Sequence, residues 1–155
     1  MRILFTTSDL CFSKLVRNIT DEPVSHTAVE LDCGVVVHSN WLGVLLEPSN
    51  KFRNKVSVIR ELKPVVPMED SKIIRKYAEC QHDWYDVGAF FFLGISLMLR
   101  SKFGVPLPKS NLWQSTGMYL CTEWTTEIVD GKEDGMITPW KYYLKLQDSG
   151  QWVRP

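Results

Sequence analysis

Residues 25 to 41 constrain the fold more than any other stretch of this chain. They read Ser-His-Thr-Ala-Val-Glu-Leu-Asp-Cys-Gly-Val-Val-Val-His-Ser-Asn-Trp. Val29 and Leu31 mark one strand, and Val35, Val36 and Val37 mark a second. Asp32-Cys33-Gly34 forms the turn, where Gly34 can take a positive φ at no steric cost. The pattern predicts a β-hairpin. Side chains on a strand alternate between faces, so loop length decides which residues share one. A three-residue loop, 31 to 33 or 32 to 34, puts His26 and His38 on one face, opposite or diagonal. Their β-carbons would then be roughly 5 to 8 Å apart. A two-residue loop would separate them. The chain has three histidines, so two of them fall in this hairpin.

The rest of the first half reads as strand with one helix. Residues 2 to 6 form a short strand. Ser8 can cap a helix carrying Leu10, Leu15, Val16 and Ile19, which Asp21-Glu22-Pro23 ends. Residues 43 to 46 and 56 to 62 add strands, separated by Pro48-Ser49-Asn50. The second half reads as helical, over 69 to 80, 86 to 101, 121 to 129 and 140 to 146. Thr138-Pro139 supplies a cap followed by proline at the first helical position. No repeat or long linker divides the chain, which suits one domain over 1–155.

Cys121 opens the helix over 121 to 129. A cysteine attacks an acyl carbon as thiolate, and a helix N-terminus or a neighbouring imidazolium lowers a thiol's pKa. The Cys121 N–H, unpaired in the first turn, can also donate to an oxyanion. His26, at the start of a rigid strand, can serve as base. A base needs an acceptor to orient its other nitrogen, and His38 is the candidate. Glu30 shares the face of His26 but stands four residues along the strand, roughly 13 Å away. Asn40 would serve only in a shifted register.

Composition narrows the function classes. Eighteen basic residues balance eighteen acidic ones without a block of either sign, so the concentrated positive charge of nucleic-acid binding is missing. The longest apolar run, Val87 to Leu99, has thirteen residues, short of the roughly 20 needed to span a bilayer. It reads as a buried core helix. The N-terminus carries no signal-like apolar run, so synthesis in the cytoplasm is expected. Cys11, Cys33, Cys80 and Cys121 do not cluster and read as reduced thiols. Thiol chemistry of this kind needs no metal and no organic cofactor.

The runs Ser-His-Thr-Ala-Val-Glu-Leu…Gly-Val-Val-Val-His-Ser and Tyr-Leu-Cys-Thr-Glu…Ile-Val, with Tyr85-Asp86 between them, resemble the NlpC-like cysteine peptidases of papain-like fold. The order, His first and Cys last, is similar to the circularly permuted YiiX/YaeF-like branch. Cys121-Thr122-Glu123 departs mildly from that branch's Cys-Ser-Glu. The resemblance covers roughly residues 2 to 130. It implies an α+β permuted papain-like fold, with a small antiparallel sheet packed against helices. It implies Cys121 as nucleophile, His26 as base and His38 as orienter, cleaving an amide or ester through a thioester. Cell-wall peptide amides, as in peptidoglycan, are the favoured substrate. More distant permuted relatives act on lipid acyl groups, so a lipid or thioester acyl hydrolase or acyltransferase is the first alternative. Compact enzymes of this kind occur in phage tails, so carriage in a virion among tail proteins fits. A non-catalytic virion or binding protein is the second alternative.

Tyr85 and Tyr119 are candidate pocket residues, with Asp86 equally explained as a helix cap. Tyr119 could instead assist the oxyanion or pack in the core. Trp41, Trp113 and Trp124 could wall the cleft, although tryptophans in a small chain default to the core. His82 reads as a surface residue.

Overall fold

Short apolar runs such as Ile3-Leu4-Phe5 and Val35-Val36-Val37 occur up to Pro64, and this region supplies most of the strand. The computed structural model describes residues 1–81, 83–113, 118–132 and 134–155. Its first half runs β1 (Arg2–Thr7), α1 (Cys11–Thr20), β2 (His26–Glu30), β3 (Val35–Asn40), β4 (Gly43–Pro48), α2 (Ser49–Arg53) and β5 (Ser57–Pro64). The second half runs α3 (Asp70–Cys80), β6 (Trp84–Tyr85), α4 (Val87–Phe103), β7 (Met118–Tyr119), α5 (Cys121–Asp130), α6 (Pro139–Asp148) and β8 (Trp152–Val153). Among the described residues, six strands form an antiparallel sheet in the order β4-β3-β2-β1-β5-β8, and β6 pairs with β7 in parallel. The chain is α+β. His82, Gly117 and Glu133 lie outside the described residues.

Strand alternation gives the sheet two buried faces. Ile3, Phe5, Val29 and Val37 meet Trp124 and Ile128 of α5 and Tyr142 and Tyr143 of α6, forming the larger core. The Phe5 and Tyr143 rings pack edge to face at 5.2 Å, a favoured aromatic geometry. Leu4, Ala28 and Val36 point the other way and meet Phe52. Phe52 belongs to α2, a helix hidden in the sequence behind the Pro48-Ser49-Asn50 break. Glu30 grips Arg53 of α2 through both carboxylate oxygens, at 2.9 and 2.6 Å, and Glu61 adds a third bond at 2.8 Å. That bidentate clamp fixes Phe52 on the sheet.

Two expectations change. Ser8 does not cap α1; Leu10 holds the N-cap position, and the Ser8 N–H donates to Ser13 Oγ at 3.0 Å. The run Val87–Leu99 does form a helix, capped by Asp86, which accepts from the Ala89 N–H at 2.7 Å. It is not fully buried. Ala89, Phe90, Leu93 and Leu97 face inward, while Phe91 is 54 % and Ile95 45 % exposed. Among the described residues, α1 covers one side of α4 through Phe12 on Phe90 at 4.7 Å, and Trp113 meets Phe92 at 5.6 Å. Among the described residues, no helix is long and apolar enough to cross a membrane.

Gly43 fixes the relation of β4 to β6. Its φ is +102°, and a Cβ there would sit 2.3 Å from the Asp83 carbonyl oxygen. Only glycine permits this approach, which brings Trp84-Tyr85 beside the strand that follows His38.

Candidate active site

The site is assembled from strand ends and one helix start. Val29 pairs with Val37 and Glu30 with Val36, and the Leu31 N–H donates to Val35 O at 2.8 Å. The hairpin loop is therefore 32 to 34. Extending the register sets Ala28 opposite His38, so His26 and His38 share a face on a diagonal. His26 Nε2 lies 3.0 Å from His38 Nδ1, with the rings nearly perpendicular at 88°. Phe52 packs on both rings, with centroids 6.3 Å from His26 and 4.9 Å from His38.

The line of polar groups continues onto a third strand. His38 pairs with Leu45, so Glu47 shares its face, again on a diagonal. Glu47 Oε1 is 3.4 Å from His38 Nε2, close enough for charge interaction but without hydrogen-bond alignment. Lys55 Nζ meets the other carboxylate oxygen at 2.5 Å. Burial works against a charged Glu47, yet Lys55 and His38 hold its pKa below the ordinary value. Sequence reasoning missed Glu47 because it ended that strand at 46. The period-two alternation Gly43, Leu45, Glu47 was the available signal. Glu30 and Asn40 do not orient the imidazoles. Glu30 holds Arg53, and Asn40 Oδ1 accepts from the Leu42 N–H at 2.8 Å.

Cys121 is the first residue of α5, and its neighbours anchor it to the sheet. Glu123 Oε2 accepts from the Leu120 N–H at 3.1 Å, the reach-back bond of a capping box. Thr27, the residue after His26, donates its hydroxyl to the Cys121 carbonyl at 2.9 Å, and Thr125 donates to the same oxygen at 2.9 Å. Ser39, the residue after His38, donates to the Tyr119 carbonyl at 2.9 Å. Each His-hydroxyl dipeptide thus straddles the sheet. The imidazole points to one face, and the hydroxyl clips the Cys121 segment on the other.

Cys121, His26 and His38 line one cleft of about 200 Å³ at the strand ends. Leu10, Phe12 and Trp41 form its apolar rim. A second cavity of about 40 Å³ reaches Cys121 from between α1 and α4, walled by Val16, Ile19, Phe90, Leu93 and Leu97. Tyr85 lines both spaces. Tyr119 lines neither. It packs in the main core, with its hydroxyl 3.9 Å from Cys80 Sγ. Tyr85 and Tyr119 are register partners across β6 and β7, and nothing in the sequence distinguished the two tyrosines. Trp124 is core, and Trp41 is the tryptophan of the cleft.

Burial sets the resting protonation. It pushes the Cys121 thiol above its ordinary value, although N–H groups of Thr27 and Thr122 pull the other way. The helix start does not overcome the loss of water. Burial also pushes His26 down to about 4. His38 is driven down for the same reason, with the neighbouring His26 adding to it and Glu47 opposing. The expected thiolate–imidazolium pair therefore gives way to a neutral thiol and neutral imidazoles that line one cleft. The Tyr85 phenol is raised by burial and by nearby Cys121, Asp86 and Glu123, which keeps it a proton donor.

Among the described residues, no group of three or more His, Cys, Asp or Glu side chains is arranged to hold a metal ion. No family model matches the chain, and no curated protein or solved structure matches it at a significant level.

Proposed function

We propose that this chain is a cysteine hydrolase of permuted papain-like architecture, spanning 1–155, that cleaves acyl bonds through a thioester on Cys121. One observation carries the reading: a thiol at a helix start and a hydrogen-bonded imidazole pair line the same cleft. With His26 Nε2–H donating to His38 Nδ1, the His26 Nδ1 is left unprotonated, as a base requires. His38 Nε2–H then faces the Glu47 carboxylate, which favours this tautomer.

The chemistry follows from neutral groups. Cys121 Sγ bonds to the substrate carbonyl carbon as its proton passes to His26 Nδ1. The Cys121 N–H and the hydroxyl of Tyr85, which lines the same cleft, would donate to the oxyanion. The intermediate collapses, the C–O, C–N or C–S bond breaks, and His26 protonates the leaving group. Water then attacks the thioester, giving its proton to His26, and the acid leaves as the thiol re-forms.

The lining favours an apolar acyl donor, such as a lipid ester or acyl thioester, over a cell-wall peptide. Leu10, Phe12 and Trp41 edge the mouth, and the cavity behind Cys121 is walled mostly by aliphatic and aromatic groups, with Thr20, Ser25, Thr122 and Thr138 also lining it. The test compares wild type with Cys121→Ala on palmitoyl thioester, phosphatidylcholine and purified peptidoglycan. Fatty acid released by the wild type alone supports the acyl reading. Released muropeptides would return the cell-wall reading. No turnover of any of the three would favour a non-catalytic role.

A further inference from the structure

The exposed face of α4 is apolar where a partner would be expected. Val87, Phe91, Ile95 and Met98 recur at helical spacing and are all exposed, with Phe91 at 54 %. At 1.5 Å per residue the stripe runs about 16 Å. It joins the cleft through a chain of ring contacts: Tyr85 to Phe12 at 6.0 Å, Phe12 to Phe90 at 4.7 Å, and Phe90 to Phe91 at 5.8 Å. Leu10, on the cleft mouth, is 69 % exposed.

Charge identifies the occupant. From Val87 to Trp113 there is no acidic residue, in a chain whose net charge is zero. The segment carries Arg100, Lys102 and Lys109, all exposed. Among the described residues none of the three pairs with a carboxylate. A second copy set on this face would oppose like charges. Anionic lipid headgroups complement both the cations and the apolar stripe. We propose that α4, with the adjoining end of α1, docks the protein on the surface of a bilayer containing anionic lipid, lying in the interface rather than crossing it. The proposal goes beyond the acyl reading of the cleft and rests chiefly on α4, sharing with that reading Leu10 and Phe12 at the end of α1. It would explain how an acyl chain reaches Cys121 without passing through water.

The experiment is vesicle flotation, with phosphatidylcholine alone and with an equal mixture of phosphatidylcholine and phosphatidylserine. The wild type should partition to the mixed vesicles at least about tenfold better, and high salt should reduce the difference. Phe91→Ser with Ile95→Ser should cut binding at least about tenfold, and Arg100→Gln with Lys102→Gln should remove the preference for phosphatidylserine. All four residues are exposed, so both double variants should keep the wild-type melting temperature and the wild-type rate on a water-soluble short-chain acyl thioester. Wild type that fails to float, or that floats equally well after Phe91→Ser with Ile95→Ser, overturns the docking proposal. So does a wild-type dimer, by sedimentation, that the same variant dissociates. Vesicle binding without any acyl hydrolysis supports the docking face and sinks the acyl reading instead.

Discussion

His26 Nε2 and His38 Nδ1 stand 3.0 Å apart on a strand diagonal, while Thr27 and Ser39, one residue further on, reach through to the Cys121 segment. Two neighbouring dipeptides thus set both the imidazole pair and the position of the thiol. If His26 acts as base, His26→Ala should lower kcat by on the order of 1,000-fold. His38→Ala should lower it by about 10- to 100-fold with KM little changed, because the ring loses its orientation and not its contact with substrate. Glu47→Gln should cost less than about tenfold, since its approach to His38 is long and unaligned. Steady-state rates at saturating substrate check the order.

The pH dependence has a defined sign. His26 titrates at about 4 in the fold and near 6.5 when unfolded. The unfolded chain therefore binds more protons between those values, and stability falls as pH drops from 6.5 toward 4. Above 6.5 this contribution is complete and flat. The slope contributed by His26 can reach about 1.4 kcal/mol per pH unit where it is charged only in the unfolded chain. Thermal melts of wild type and His26→Gln across that window check it. The wild type should lose stability faster on acidification, and parallel curves would contradict the buried neutral imidazole. If His26 acts as base, activity should hold below the ordinary histidine range, since its imidazole stays unprotonated there.

Thr27→Val keeps shape and removes a hydroxyl that bonds the Cys121 carbonyl at 2.9 Å. Thr125 still donates to that oxygen, so no acceptor is orphaned. The stability loss should be about 1 kcal/mol. Turnover should fall more than this implies, because the thiol loses one tether to the strand that carries His26. A variant with altered stability and unchanged kcat would show that Thr27 is structural only.

Gly43→Ala tests the contact between β4 and β6. The new methyl would sit 2.3 Å from the Asp83 carbonyl oxygen at a φ of +102°. Backbone must move at a strained conformation, so a loss of about 2 kcal/mol or more is expected from chemical denaturation. Tyr85 moves with β6, so activity should fall as well. Full stability in this variant would refute the close approach.

The hairpin was legible in the sequence because β-branched runs, a glycine turn and residue parity leave few registers open. Those three features predicted that His26 and His38 share a face, and the loop 32 to 34 fulfils the condition. Cys121 was legible through helix-compatible residues after it. Glu47 was not, because its role depends on where β4 ends, and strand ends carry little local signal. Helix α2 was hidden since five residues after a proline read as loop. Its stability comes from the Glu30–Arg53–Glu61 cluster, which is tertiary. The raised thiol was also beyond the sequence, because burial depends on packing by elements far along the chain. The exposed side of α4 was misjudged for a related reason. An apolar run states that a helix is hydrophobic, not how much of it finds cover.

The most direct measurement of the central claim is intact-protein and peptide mass spectrometry after brief incubation with palmitoyl thioester. A palmitoyl adduct is expected on the Cys121 peptide, removed by neutral hydroxylamine and lost in Cys121→Ala. That adduct should build up more slowly in His26→Ala. Acylation that favours the exposed Cys11 and Cys33, or that proceeds at Cys121 equally well without His26, would contradict that claim.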